Sequence, residues 1–149
     1  MLGNSSGNRI SDTLTGYNSL GEVYQTTVIG VDPTTGDENC GSLVSNTWRD
    51  PDGNPIETQD GGTRQFTKTT FDGLDRPSVV YVGFDPNGDA STYATAGSVA
   101  ADIILQQTNT NYDDAGDAIL VTTYERYDDA PTTDLGEGAQ DNRRGFGDS

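Results

Sequence analysis

Histidine is absent from the 149 residues, which removes every mechanism built on a Ser-His or Cys-His pair or on an imidazole metal ligand. Cysteine occurs once, as Cys40, so no intramolecular disulfide can form and no zinc-ligand spacing exists. Lys and Arg number 8 against 24 Asp and Glu, a net charge of −16 with a pI near 4.1. Phosphate binding needs clustered cations, and the sole adjacent basic pair is Arg143-Arg144, so nucleic acid is not expected as a partner. No apolar run approaches the roughly 18 residues of a membrane span, so no membrane insertion is expected. Met1-Leu2-Gly3-Asn4 continues into polar residues without a basic and then an apolar segment, so no secretory leader is read. Hydrophobic residues make up 31% of the chain and mean hydropathy is −0.66, which limits it to a thin core.

What the chain does contain is a repeat. A threonine, one residue, an aromatic, an Asx, two residues and a glycine recur four times, at Thr15-Gly16-Tyr17-Asn18-Ser19-Leu20-Gly21, Thr47-Trp48-Arg49-Asp50-Pro51-Asp52-Gly53, Thr69-Thr70-Phe71-Asp72-Gly73-Leu74-Asp75 and Thr110-Asn111-Tyr112-Asp113-Asp114-Ala115-Gly116. Arg49 replaces the aromatic once and Asp75 the glycine once. Each cassette reads as a hairpin tip: the Asx side chain bonds the backbone two residues on, and glycine takes the positive φ that closes the turn. Asp75 suits that role because Asp enters the left-handed region more readily than most residues.

Flanking segments are rich in Thr, Val and Tyr, as strands prefer. They are Val23–Ile29, Val79–Val82 and Ile119–Tyr124 leaving the tips, and Leu43–Trp48, Gln65–Phe71 and Ile103–Thr108 entering them. Clean alternation is confined to short stretches such as Phe66/Lys68 and Leu105/Gln107, so strands are read but faces are not. Thr95–Leu105 is the best helix candidate, although Gly97 and its alanines also suit a loop entering a strand. The pattern predicts an all-β fold of about eight antiparallel strands in four sequential hairpins, with residues 9–130 as the repeat domain. Residues 1–8 and 131–149 read as a disordered start and a flexible acidic, Gly-rich tail.

The tips resemble those of the RHS, or YD-repeat, proteins, whose motif is Tyr-Asp-x-x-Gly-Arg. The matching positions are Tyr17, Asn18 and Gly21; Asp50 and Gly53, with Trp48 beside them; Phe71, Asp72 and Arg76; and Tyr112, Asp113 and Gly116. Longer stretches, including Gly21–Val28, Ser42–Asp50 and Gly97–Thr108, are similar to long RHS proteins of planctomycete-type bacteria. The resemblance covers about residues 15–130 and implies an extended curved sheet, part of a β-shell that encloses or presents an effector at or outside the cell. Further repeats or an encapsulated effector are the partners it implies, with self-association through free strand edges. The motif's arginine survives only as Arg76, with Glu22, Asn54 and Asp117 elsewhere, so no ladder of stacked arginines is expected. The chain also lacks the family's C-terminal core segment, and reads as a piece of a shell or a short relative.

No catalytic, cofactor or metal residues are assigned, and no enzyme activity is expected. Asp50-Pro51-Asp52-Gly53-Asn54 and Asp85-Pro86-Asn87-Gly88-Asp89 begin like calcium loops, but Pro55 and Ala90 stand where glycine is required and Gly61 and Ala96 where a bidentate glutamate belongs. Both read as ordinary turns, as does Gly61-Gly62-Thr63-Arg64. The alternative function is an extracellular calcium- or glycan-binding module, with Trp48 and the tyrosines as a stacking platform. At repeat positions these aromatics are expected to pack between hairpins instead. Tyr17, Phe71 and Tyr112 should then be substantially buried, and Arg49 more exposed.

Overall fold

A computed structural model describes residues 11–38, 40–86 and 92–126. It contains eight strands in one sheet: Ser11–Tyr17 (β1), Val23–Gly30 (β2), Ser42–Arg49 (β3), Pro55–Gln59 (β4), Gln65–Phe71 (β5), Pro77–Phe84 (β6), Ile103–Tyr112 (β7) and Ala118–Glu125 (β8). Their order in the sheet is their order in the chain, every pair is antiparallel, and the sheet is open. The disordered start and flexible tail read from the sequence at 1–8 and 131–149 lie outside the described residues. The helix candidate is four residues long, Tyr93–Ala96 (α1), and the chain enters β7 at Ile103. Gly97, the poorest helix former after proline, stands where the next turn would continue, and the helix stops before it although Ala100 and Ala101 follow.

The cassettes all become tips of one design. The N–H groups of Asn18, Asp50, Asp72 and Asp113 each donate to the carbonyl four residues on at 2.9 Å, closing three-residue loops. In each loop the Asx Oδ1 accepts the N–H groups two and four residues on. The last loop residue is left-handed throughout, with φ of 79° at Gly21, 92° at Gly53, 58° at Asp75 and 93° at Gly116. Beside every tip the returning strand carries one extra residue, Tyr24, Ile56, Ser78 and Ile119 in turn, so each hairpin bulges at the same place. Gly116→Ala is therefore expected to destabilise by about 1–2 kcal/mol through the left-handed strain alone. Asp75→Gly should stabilise by about 0.5–1 kcal/mol as the same strain is relieved. Urea midpoints of the two variants check the pair, and equal shifts of one sign would contradict the common geometry.

Cross-strand partners share a face, which assigns the sheet's two sides. One side carries the row Trp48, Glu57, Lys68, Tyr81, Gln107 and Tyr124, and beside it the row Asn46, Gln59, Phe66, Gly83 and Ile104. The segment 92–102 lies over this side, with Val99 against the buried pair Phe66 and Ile104. The opposite side, including Thr47, Thr58, Thr67, Val82 and Gln106, is half-buried or exposed. Simple apolar-in, polar-out patterning fails here: Lys68 and Gln107 are buried, while Leu105 is displaced at a bulge in β7 and is partly exposed.

Candidate functional site

Neighbouring tips are fastened to one another. Tyr24 of the first hairpin stacks on Trp48 of the second, ring centroids 4.8 Å apart. Asn54 Nδ2 of the second donates to Asp75 Oδ1 of the third at 2.9 Å. Arg76 of the third lies over the Tyr112 ring of the fourth at 4.4 Å, and the Tyr112 hydroxyl donates to Pro77 O at 3.0 Å. The tips thus form a continuous row along one border of the sheet, with a different contact at each junction because the cassettes have diverged.

Within the row, Asn18, Asp50, Asp72 and Asp113 act as turn acceptors, and Gly21, Gly53 and Gly116 as left-handed closers. Arg76 Nε donates to Asp72 Oδ2 at 2.7 Å, an i, i+4 pair inside its own tip. The residues at Arg76's position make related contacts in two other tips: Asn18 Nδ2 donates to Glu22, and Asn54 Nδ2 to Asp50. Phe71, Tyr112 and Arg49 are alike half-buried, so the expected contrast between Arg49 and the aromatics does not hold. Tyr17 departs from expectation altogether, at 61% exposed. The cause is position: Tyr112 leans on the preceding hairpin, whereas Tyr17 is on β1, with no strand before it among the described residues.

Partial desolvation pushes the Asp72 carboxyl up, but N–H bonds from Arg76 and Leu74 and the Arg76 guanidinium outweigh it and hold it below the usual 3.8. Asp50 is likewise desolvated, and is brought below 3.8 by the bonds from Asn54, Asp52 and Gly53. A depressed carboxylate contributes stability that is present above its unfolded value and lost as pH falls through the folded one. Asp72→Asn should therefore lose its deficit relative to wild type as the pH falls below about 4, and thermal midpoints measured on the acid side of that value check it. The same bonds occupy the oxygens of Asp50 that a calcium ion would need. The second calcium-like stretch, 85–89, lies outside the described residues from 87 onward.

Beside the first two tips is a cleft of about 540 Å³ lined by residues including Tyr24, Trp48, Tyr93, Asn18 and Asp50. Tyr93, from α1, meets Trp48 edge-on at 6.4 Å. Trp48 therefore packs between hairpins and also forms part of a concave aromatic surface.

The feature that sequence reading missed is the polar centre beneath the 92–102 segment. Lys68 Nζ donates to Asp102 Oδ2 at 2.6 Å, to Ser98 O at 2.6 Å and to Thr95 O at 3.1 Å, with Glu57 Oε2 3.8 Å away. The Phe66 ring lies 4.6 Å below the same nitrogen. Exposures are 5% for Lys68, 9% for Asp102 and 1% for Glu57. Next to it runs an amide ladder, with Gln25 Nε2 donating to Asn46 at 3.0 Å and Asn46 Nδ2 to Gln59 at 3.2 Å. The available signal was the placement of a single lysine two residues from Phe66 in a Thr-rich strand, but only pairing with β4 and closure of the segment bring the acids to it. Among the described residues no group of three or more Cys, Asp or Glu is placed to hold a metal ion, and no helix is long and apolar enough to cross a membrane. Compared with known proteins, the chain matches no family model and no curated protein.

Proposed function

We propose that the chain is a non-catalytic structural segment of YD-type hairpins, part of an RHS-like β-shell that encloses or presents an effector at or outside the cell. The observation that carries this reading is the contrast between Tyr112 and Tyr17. Tyr112 is seated on the hairpin before it through Pro77 and Arg76, while Tyr17, at the same cassette position, is exposed, as are Leu14 and Leu20 of the same hairpin. A further hairpin on β1 would cover Tyr17 as the third hairpin covers Tyr112, and would pair backbone groups that an edge strand leaves open. The partners are then further repeats, and the sheet is one arc of a larger enclosure.

Self-association tests it. The charge of −16 keeps edges apart, and salt screens that repulsion. Light scattering should show monomers at low ionic strength and growing assemblies toward about 1 M salt, where the Debye length is ~3 Å. A strict monomer throughout, with amide exchange in β1 and β8 as slow as in β5, would overturn the reading. The aromatic cleft favours a second one, a glycan-binding module, since pockets of its size with ring surfaces and a polar rim suit small ligands. Trp48 is the only tryptophan, so saturable quenching of its fluorescence by saccharides, lost in Tyr93→Ala, would mark that alternative. A calcium-dependent rise in melting temperature would mark its calcium form.

A further inference from the structure

We propose that Lys68 and Asp102 condense to an intramolecular amide bond, with Glu57 as the proton carrier. This is independent of the shell reading. Three features of the polar centre carry it. First, the amine and the carboxyl are already in contact: an Nζ–Oδ2 separation of 2.6 Å puts the Asp102 carboxyl carbon within about 3.5 Å of the nitrogen, the reach of a near-attack arrangement. Second, the nitrogen is oriented. Thr95 O and Ser98 O accept two of its hydrogens, so once the third is lost the lone pair is aimed at the remaining neighbour, Asp102. Third, a second carboxylate is close: Glu57 lies 3.8 Å from the nitrogen in a site whose three charged groups are nearly excluded from water.

Burial supplies the drive. One ammonium and two carboxylates hold three charges away from water, and proton transfer from Lys68 to Asp102 cuts them to one, with the net charge of the cluster unchanged. Lys68 passes one proton to the Asp102 carboxylate, which leaves a neutral amine facing a carboxylic acid. The lone pair adds to the carboxyl carbon of Asp102. Glu57 takes a proton from the nitrogen and returns it to the departing oxygen. One N–C bond forms, one C–O bond breaks, water leaves, and Glu57 ends as it began. The ammonium and carboxylate of the pair become an uncharged amide, with no oxidant, reductant or co-reactant. The bond would tie β5 to the start of β7 and close the 92–102 segment over Phe66. That is a covalent staple in a chain whose single cysteine excludes a disulfide within it.

The test uses the intact wild-type chain. Mass spectrometry under denaturing conditions should find it about 18 Da lighter than its composition, the mass of one water. Mild acid then cuts the labile Asp-Pro bonds Asp32-Pro33, Asp50-Pro51 and Asp85-Pro86, placing Lys68 on fragment 51–85 and Asp102 on fragment 86–149. The expected result is that these two fragments migrate as one species on a denaturing gel. Full mass with separate fragments would overturn the proposal and leave an ion pair. A mass deficit with separate fragments would overturn it too, because dehydration at an Asp-Gly pair also loses water without joining them. Glu57→Gln, which keeps both reacting groups, should release the fragments, and fragments that stay joined in that variant would remove Glu57 from the mechanism.

Discussion

Replacing Lys68 with methionine is expected to cost about 3–5 kcal/mol, the penalty for leaving buried carboxylates without their cation. Glu57 lies under the 92–102 segment and Asp102 is buried at its end, where water cannot compensate, and Thr95 O and Ser98 O lose their common donor. Measured against a chain in which Lys68 and Asp102 are an ion pair, the loss should be mostly recovered in the triple variant Lys68→Met, Glu57→Leu, Asp102→Leu, because replacing a whole buried ion cluster with apolar side chains is often neutral. Measured against a chain that carries the amide, the triple variant lacks the staple and should stay below wild type. Urea denaturation of wild type, single and triple variants measures both steps. A single variant within about 1 kcal/mol of wild type would mean that the centre is wet and that the segment is held otherwise.

Phe66→Ala is expected to cost about 3–5 kcal/mol, the upper range for truncating a core aromatic. Phe66 and Ile104 are 4% and 0% exposed and form the buried cluster, with Tyr81, Val99 and Tyr124 packed around them. Little can collapse into the space left by the ring, because the lysine above it is fixed by three hydrogen bonds. Phe71→Ala, at a half-buried tip position, should cost less, about 1–2 kcal/mol. The order Phe66 before Phe71 is the critical comparison, and its reversal would place the core at the tips. Gly83→Ala should also be severe, since a Cβ there would meet the Phe66 ring at 3.0 Å and Ile103 O at 2.5 Å. Glycine lets β6 pass close enough to β7 for Phe66 to fit.

Local chemistry made the hairpin tips legible. Asx-x-x-Gly needs only its own five residues to close, so Asn18, Asp50, Asp72 and Asp113 can be read without knowledge of the rest of the chain. Even Asp75 followed from the tolerance of aspartate for positive φ. The burial of the residue before each Asx was not legible in that way. Tyr17 and Tyr112 occupy the same place in the same motif, yet one is exposed and the other contacts Pro77 and Arg76, because burial depends on what stands alongside.

Composition and short-range pattern together determined the all-β class, the eight strands, the order of the hairpins and the positions of the turns. These are local properties: turn residues fix where the chain reverses, and short connections make sequential strands neighbours. Tertiary structure alone decided which face is covered and what lies beneath. Glu57, Lys68 and Asp102 are separated along the chain by other strands and loops, and nothing in their spacing distinguishes them from solvated surface charge. Pairing of β4 with β5 sets Glu57 beside Lys68, and return of the chain through α1 sets Asp102 against it. A buried charge is tolerated only where partners converge from distant segments, and that convergence is a property of the folded chain rather than of any stretch within it.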